Sequence, residues 1–405
     1  MKPKNFMLIA GEASGDLLAA ELVQALRREF AEAEALPTMD LQPLATSLEP
    51  RFFGAGGPRM AAAGVELAFD LTAHSVIGLS DVLKNLFTFR RLFRALFRLA
   101  RERQPDAIIC VDFSGFNRRF AHAIKQYVRP RRDWFHDWGP KLIQYVSPQV
   151  WASRESRAYQ MERDYDLLLS IFPFEKEWYA KRVPRLRVEF VGHPLVDRHG
   201  EGSGARGEGR GDGGTPTVLL FPGSRPGELR RHLPVLTEAA KRIAAQRDVV
   251  FRMVLPHESL LGYAQPVAGV VPRLEVQAGR LDEALCKAAV ALTKSGTISL
   301  ECAYFGVPAV VFYKTSLMNY LAAKRLVQVK HLAMPNLLAN EEVYPEFIQG
   351  AATAENLARA TLGLLEDKAR YTEVRAKLAK IIATLGAPGA SRRAAKAVVR
   401  LLHSP

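Results

Sequence analysis

Thr293-Lys294-Ser295-Gly296-Thr297-Ile298-Ser299-Leu300-Glu301 follows the apolar run Ala289-Val290-Ala291-Leu292. It precedes a helical segment ending near Gly306-Val307-Pro308, and Ala309-Val310-Val311-Phe312 then reads as the next strand. Strand, Ser-Gly-Thr turn, helix, strand is a parallel α/β unit. Its turn lies at the carboxyl end of the strand, where unpaired backbone N–H groups and the helix dipole favour an anion. Gly296 lets a phosphate approach the backbone, and Ser295 and Thr297 can donate from their hydroxyls. Glu301 lies about one helical turn after Thr297 and can accept from two sugar hydroxyls, as in a ribose. An ordinary capped turn has the same pattern, so the motif alone leaves phosphate binding and capping both open.

Outward from this unit, 405 residues suit about two domains, and a 48% hydrophobic fraction supplies their cores. Cys110, Cys286 and Cys302 lie in apolar contexts without paired spacing. They indicate neither a disulfide framework nor a zinc site, which fits a reducing compartment. The opening run Phe6-Met7-Leu8-Ile9-Ala10 is too short for a signal-peptide core and reads as a buried first strand. No apolar run is long enough to cross a bilayer. The net charge of +14 favours anionic partners: nucleic acid, a membrane surface or phosphorylated substrates.

The same strand–turn–helix pattern recurs along the chain. Gly11-Glu12-Ala13-Ser14-Gly15-Asp16 follows the first strand and leads into a helix over 17–30. The turn has no G-x-G-x-x-G, which disfavours a nicotinamide cofactor. Arg51-Phe52-Phe53 reads as a strand entering the glycine-rich loop Gly54-Ala55-Gly56-Gly57. Ala107-Ile108-Ile109-Cys110-Val111 is a buried strand that places Asp112 at its carboxyl end, where α/β enzymes put chemistry; a helix cap is the alternative. His193 offers either a ligand contact or a structural hydrogen bond. Thr217-Val218-Leu219-Leu220-Phe221 opens the second half and precedes Pro222-Gly223-Ser224-Arg225, whose arginine can bridge a pyrophosphate. Between the halves, 199–217 is rich in glycine and reads as a flexible joint.

A helix over 84–103 repeats Leu86, Phe89, Phe93, Leu96 and Phe97 at helical spacing, with Arg90, Arg91, Arg94, Arg98 and Arg101 elsewhere around it. It suits a helix lying on an anionic membrane surface, with Val76-Ile77-Gly78-Leu79 extending the patch, or a helix packed on a sheet with a solvated basic face.

Several of these stretches together resemble the bacterial lipid-A-disaccharide synthase family. They are Ala10-Gly11-Glu12-Ala13-Ser14-Gly15-Asp16, Phe53-Gly54-Ala55-Gly56-Gly57-Pro58, Tyr145-Val146-Ser147-Pro148-Gln149-Val150-Trp151-Ala152, Phe172-Pro173-Phe174-Glu175, Val191-Gly192-His193-Pro194-Leu195, Pro222-Gly223-Ser224-Arg225, Ser295-Gly296-Thr297 with Glu301, and Pro335-Asn336-Leu337-Leu338-Ala339. They are collinear and span nearly the whole chain. The resemblance implies an α/β fold of two Rossmann-like domains facing a cleft (GT-B). It implies an inverting, metal- and cofactor-independent glycosyltransferase that joins UDP-2,3-diacylglucosamine to 2,3-diacylglucosamine 1-phosphate. The protein would be cytoplasmic and peripheral on the anionic inner-membrane surface, with no nucleic-acid partner.

On this reading 1–198 binds the acceptor through Ser14, Gly15 and Asp16, with Asp112 as base. Residues 218–380 bind the UDP-sugar through Ser224, Arg225, Ser295, Gly296, Thr297, Glu301 and Asn336. Arg225 also stabilises the leaving diphosphate. Residues 381–405 form a helix placed to pack back on the first domain, and Leu86, Phe89, Phe93 and Phe97 meet lipid or acyl chains. The chain departs from the family's usual Asp-x-Pro-Asp-Phe-Asn: in Asp112-Phe113-Ser114-Gly115-Phe116-Asn117 the proline and second aspartate are missing. The competing readings are a related enzyme acting on another UDP-sugar, such as a 2-epimerase, and a silent paralogue. A nucleic-acid binder ranks last, because the basic residues form no recognised motif.

Overall fold

A computed structural model describes residues 3–34, 49–74, 82–131, 136–199 and 214–403. The chain divides into two compact units, 1–198 with 385–405, and 199–384. The sequence-predicted patch at 76–79, the Leu86 side chain and the joint over 200–213 lie outside the described residues.

The first unit holds a seven-stranded sheet built from β1 (Asn5–Ala10), β2 (Arg51–Gly56), β3 (Glu66–Asp70), β4 (Ala107–Val111), β5 (Lys141–Tyr145), β6 (Leu167–Ser170) and β7 (Val188–Phe190). The order is β3-β2-β1-β4-β5-β6-β7, with every pairing parallel. Its helices are α1 (Ala13–Glu34), α2 (Pro58–Ala62), α3 (Val82–Arg103), α4 (Ser114–Val128), α5 (Arg157–Asp164), α6 (Pro173–Arg182) and α7 (Pro194–His199). The central strands are apolar along their length because helices cover both faces; all five residues of β4 are buried.

The second unit repeats the plan with six parallel strands: β8 (Thr217–Phe221), β9 (Val250–Leu255), β10 (Leu274–Ala278), β11 (Val290–Lys294), β12 (Ala309–Tyr313) and β13 (Glu346–Ile348). Their order is β10-β9-β8-β11-β12-β13. Its helices are α8 (Pro226–Ala244), α9 (Leu261–Ala268), α10 (Leu281–Cys286), α11 (Ile298–Tyr304), α12 (Leu317–Leu326), α13 (Met334–Ala339), α14 (Ala354–Glu366) and α15 (Lys368–Ala383).

The last helix, α16 (Ala390–His403), belongs to the first unit and packs on α1. The Asp197 carboxylate accepts from the N–H groups of Gly389, Ala390 and Ser391 at 2.6, 3.1 and 3.2 Å, capping its start. Arg392 then pairs with Glu29 and Glu32 on α1.

Two sequence expectations change. The glycines at 54 and 56 lie inside β2, not in a loop after it. The expected lipid-facing rings of α3 mostly face inward. Phe93 packs edge-on against Phe116 and Phe120, and Phe97 against Phe120 and Tyr127. A helix covering a sheet needs this apolar stripe for its own unit. Phe89 is half-buried, while Phe87, which the periodicity did not single out, is 79% exposed.

Candidate active site

In both sheets strand order reverses direction beside the first strand. In the first unit β2 lies on one side of β1 and β4 on the other; in the second, β9 and β11 flank β8. The loops leaving the carboxyl ends of the two central strands therefore turn to opposite faces and open a crevice, where parallel α/β sheets bind ligands.

In the first unit the crevice is bounded by Gly11-Glu12 after β1 and Asp112-Phe113 after β4. Asp112 and Phe113 both adopt left-handed backbone, with φ of 47° and 43°, a conformation costly for residues with a side chain. Buried amides hold them there. Asn117 Nδ2 donates to the Asp112 carbonyl at 2.9 Å and to that of Val111 at 3.2 Å, and Gln144 Nε2 donates to Asp112 at 3.3 Å. Burial, with a further contribution from the Glu12 charge, pushes the Asp112 carboxyl up to about 6, against the opposing pull of the Phe113 N–H. Glu12 completes a carboxylate pair and was not among the residues singled out from the sequence.

The three acceptor-side candidates separate. Ser14 is exposed on the first turn of α1. Gly15 is buried against β4: a Cβ there would lie 3.4 Å from the Val111 carbonyl oxygen and 3.6 Å from Asp112 Cβ. Asp16 is not available to a ligand. Its buried carboxylate accepts from the N–H groups of Gly57, Met60 and Arg59 at 2.7, 3.1 and 2.9 Å, clamping α2 to α1. His193 takes the structural option: its Nδ1 accepts from Leu195 N–H at 3.1 Å, and burial pushes its pKa down to about 4. Trp151 and Glu175, from separate sequence stretches, meet in the core, where the Glu175 carboxylate accepts from Trp151 Nε1 at 2.9 Å.

In the second unit a pocket of about 380 Å³ is lined by Ser224, Lys294, Thr297, Glu301, Gly279 and Arg280, among others. Ser224, Thr297 and Glu301, which the resemblance assigns to the donor, thus line one pocket. Arg225, the residue before α8, is exposed beside it and makes no ion pair among the described residues. Lys294 pairs with Glu228 at 3.4 Å, and Glu228 also accepts from Ser224 N–H at 2.9 Å. Burial opposes the Glu228 charge, but Lys294, the Ser224 N–H and Arg225 outweigh it and hold the carboxyl below its ordinary value.

Two expected contacts have other duties. The Ser295 hydroxyl donates to the Leu332 carbonyl at 3.0 Å, tying the turn to the 332–346 segment. Asn336 is fully buried: its amide donates to Tyr344 O and Glu346 Oε1, and its oxygen accepts from Val343 and Tyr344 N–H. With every bonding direction taken inside the fold, its side chain shapes that segment and offers no atom to a sugar nucleotide. No group of three or more His, Cys, Asp or Glu suited to a metal occurs among the described residues.

Gly223 carries the local geometry. Its φ is 128°, and a Cβ there would fall 2.4 Å from Glu228 Oε2 and 2.8 Å from Glu228 Cβ. Gly223→Ala is expected to push Glu228 off Ser224 and Lys294. Stability should fall by about 1–3 kcal/mol, as for other strained backbone sites. The KM for a sugar nucleotide should rise about tenfold, since 1.4 kcal/mol of binding is a factor of ten. Urea unfolding and donor-dependent kinetics check both.

The lipid-A-disaccharide synthetase family model matches residues 6–400. A lipid-A-disaccharide synthase of Alkalilimnicola ehrlichii is 37% identical over 97% of each chain. That of Geobacter metallireducens is 36% identical over 98% of this chain and 97% of the relative. Myxococcus xanthus has one at 35%, covering 99% and 98%. Among solved structures, MurG of Acinetobacter baumannii superposes with a TM-score of 0.55 at 14% identity, covering 98% of this chain and all of that one. The S. aureus MnaA–UDP structure reaches 0.59 at 13%, covering 98% and 97%. These structural likenesses establish the GT-B fold alone. The full-length match at more than one third identity establishes more: the chain belongs to the lipid-A-disaccharide synthase family of glycosyltransferases.

Proposed function

We propose that the protein transfers a diacylglucosaminyl group from UDP-2,3-diacylglucosamine to a hydroxyl of 2,3-diacylglucosamine 1-phosphate, with inversion and release of UDP. The single observation that carries the mechanism is Asp112, an ionisable carboxyl with a pKa of about 6, held in left-handed backbone at the crevice of the first unit beside Glu12. At pH 7–8 it is charged and ready to accept a proton. The acceptor oxygen forms its bond to the donor's anomeric carbon as the bond from that carbon to the diphosphate oxygen breaks; the hydroxyl proton passes to Asp112. The leaving UDP carries the electron pair. Arg225, the Thr297 hydroxyl and the positive end of the 19-residue α8 offset its charge. Glu301 would accept from the ribose.

Both substrates carry acyl chains, so the enzyme must work at a lipid surface. Among the described residues no helix is long and apolar enough to cross a membrane. The candidate contact is the outer side of α3, where Phe87 stands beside Arg90, Arg91, Arg94 and Arg98. Apolar insertion and attraction to anionic headgroups then act together, placing the protein peripherally on the cytoplasmic face of the inner membrane.

UDP release measured with donor alone and with donor plus acceptor tests this reading. Release should depend on the acceptor, and Arg225→Ala should lower kcat/KM by about 10²–10³-fold, the usual cost of removing one charge-stabilising donor. Acceptor-independent release, or an epimerised UDP-sugar as product, would refute it.

A further inference from the structure

On α4, Gly115, Arg118, Arg119 and His122 follow the i, i+3, i+4, i+7 spacing of one helical face. A Cβ at Gly115 would meet nothing within 4 Å, so this face is open next to Asp112. The helix α5 packs on α4 and brings Arg157, with Arg154 just before it, toward Arg118 and Arg119. Four guanidinium groups thus gather at the carboxyl edge of β4 and β5, the edge that carries Asp112.

The nearby acids do not neutralise them. Glu155 pairs with Arg182, Asp164 with His122, and Asp166 with Lys125, while Glu162 accepts from the Arg185 backbone N–H. Among the described residues Arg118 bonds only the neutral Gln160 side chain. Among the described residues none of the four arginines makes an ion pair. Burial, then the charges of Arg118, Arg154 and Arg119, lower the Arg157 pKa. Such repulsion in the free protein becomes attraction when an anion enters, and the planar fork of arginine matches phosphate oxygens. Beside this face Phe113 stacks on Phe116, with ring centroids 5.6 Å apart, a half-buried apolar strip next to the charge.

We infer that Arg118, Arg119, Arg154 and Arg157 form the binding site for the phosphate monoester of the acceptor lipid, fixing the sugar with its reacting hydroxyl toward Asp112. The inference rests on the transferase reading and assigns its acceptor specificity to side chains of the first unit. Catalysis itself stays with Asp112; the arginines bind and orient.

The test compares wild type with Arg154→Gln/Arg157→Gln and with Arg119→Gln/Arg154→Gln. The second pair is exposed, and its loss should not disturb folding. UDP release is measured with 2,3-diacylglucosamine 1-phosphate and with the same lipid lacking phosphate. In both variants the KM for the phosphorylated acceptor should rise at least about tenfold, the cost of losing charge-assisted contacts of 1.4 kcal/mol or more. The donor KM should stay put, and the preference for the phosphorylated acceptor should collapse. An unchanged acceptor KM with that preference intact overturns the inference. So does reduced binding to phosphatidylglycerol vesicles with no change in acceptor KM, which would assign the cluster to membrane headgroups. If wild type releases no UDP with either acceptor, the transferase reading fails; calorimetric binding of glucosamine 1-phosphate then decides the phosphate site alone, supported by loss in the variants and overturned by equal binding or by none in wild type.

Discussion

Asp112→Asn is expected to lower kcat by about 10²–10⁴-fold, the range for loss of a positioned general base, without destabilising the protein at pH 7–8. The two effects separate because the carboxylate's charge is costly to the fold. Its folded pKa of about 6 lies above the ordinary carboxyl value. The stability contribution is therefore fully present below the unfolded pKa and is lost as pH rises through about 6, when the buried group must ionise. Asparagine keeps the shape, carries no charge and tolerates left-handed backbone well. The variant should unfold in urea at the same or higher concentration than wild type at pH 8. In wild type, kcat/KM should fall on an acid limb centred near pH 6, the folded pKa of Asp112, and Glu12→Gln should move that limb to lower pH by removing a neighbouring negative charge. Full activity in Asp112→Asn, or an acid limb that ignores Glu12, would place the base elsewhere.

Gly54→Ala should cost the first unit at least about 4 kcal/mol, in the range reserved for severe backbone or packing damage. Gly54 pairs with Leu8 between β2 and β1, and the register of β2 on β3 slips just after it. Its φ is 150°, and a Cβ there would stand 1.9 Å from the Leu8 carbonyl oxygen and 2.9 Å from the Leu8 carbonyl carbon and nitrogen. None of these is a flexible side-chain end, so the strands themselves would have to part. The expected readout is a thermal midpoint lower by about 10 °C or more, or failure to accumulate as folded protein. Because the damage propagates through β1 to the Gly11-Glu12 turn, activity should fall with stability. A midpoint within a degree or two of wild type would show that the sheet yields more easily than its packing implies.

Several elements were legible in the residues themselves. The run 107–111 and the run 217–221 are the observed β4 and β8, because strands covered on both faces must be apolar throughout. Three of the four sheet edges, β3, β10 and β13, are short and half-exposed, so no continuous apolar run marks them in the sequence. The run Gly54–Gly56 read as a loop because glycine signals turns, while its actual cause, a carbonyl within 2 Å of where a side chain would begin, is a contact between strands over forty residues apart.

The same division holds at the site. Spacing alone put Ser-Gly-Thr and Glu301 on one turn and helix, and Asp112 at a strand end, since helical pitch and strand polarity are local properties. Sequence could not tell which polar residues face a ligand and which hold the scaffold. Asp16, Ser295 and Asn336 look as suited to binding as Ser14 and Thr297, yet Asp16 and Ser295 are engaged by backbone groups from distant segments and Asn336 is used up within its own 336–346 loop. Nor could it pair Glu12 with Asp112, or gather Arg118, Arg119, Arg154 and Arg157, because those meetings depend on β4 lying beside β1 and α5 against α4. The chain's local chemistry determined that this is a doubly wound α/β protein with glycine-containing turns at the carboxyl ends of its strands. Only tertiary strand order decided which turns share a crevice, which charges crowd and which carboxyl is pushed into the working pH range, since burial and neighbouring charge exist only once distant residues are in contact.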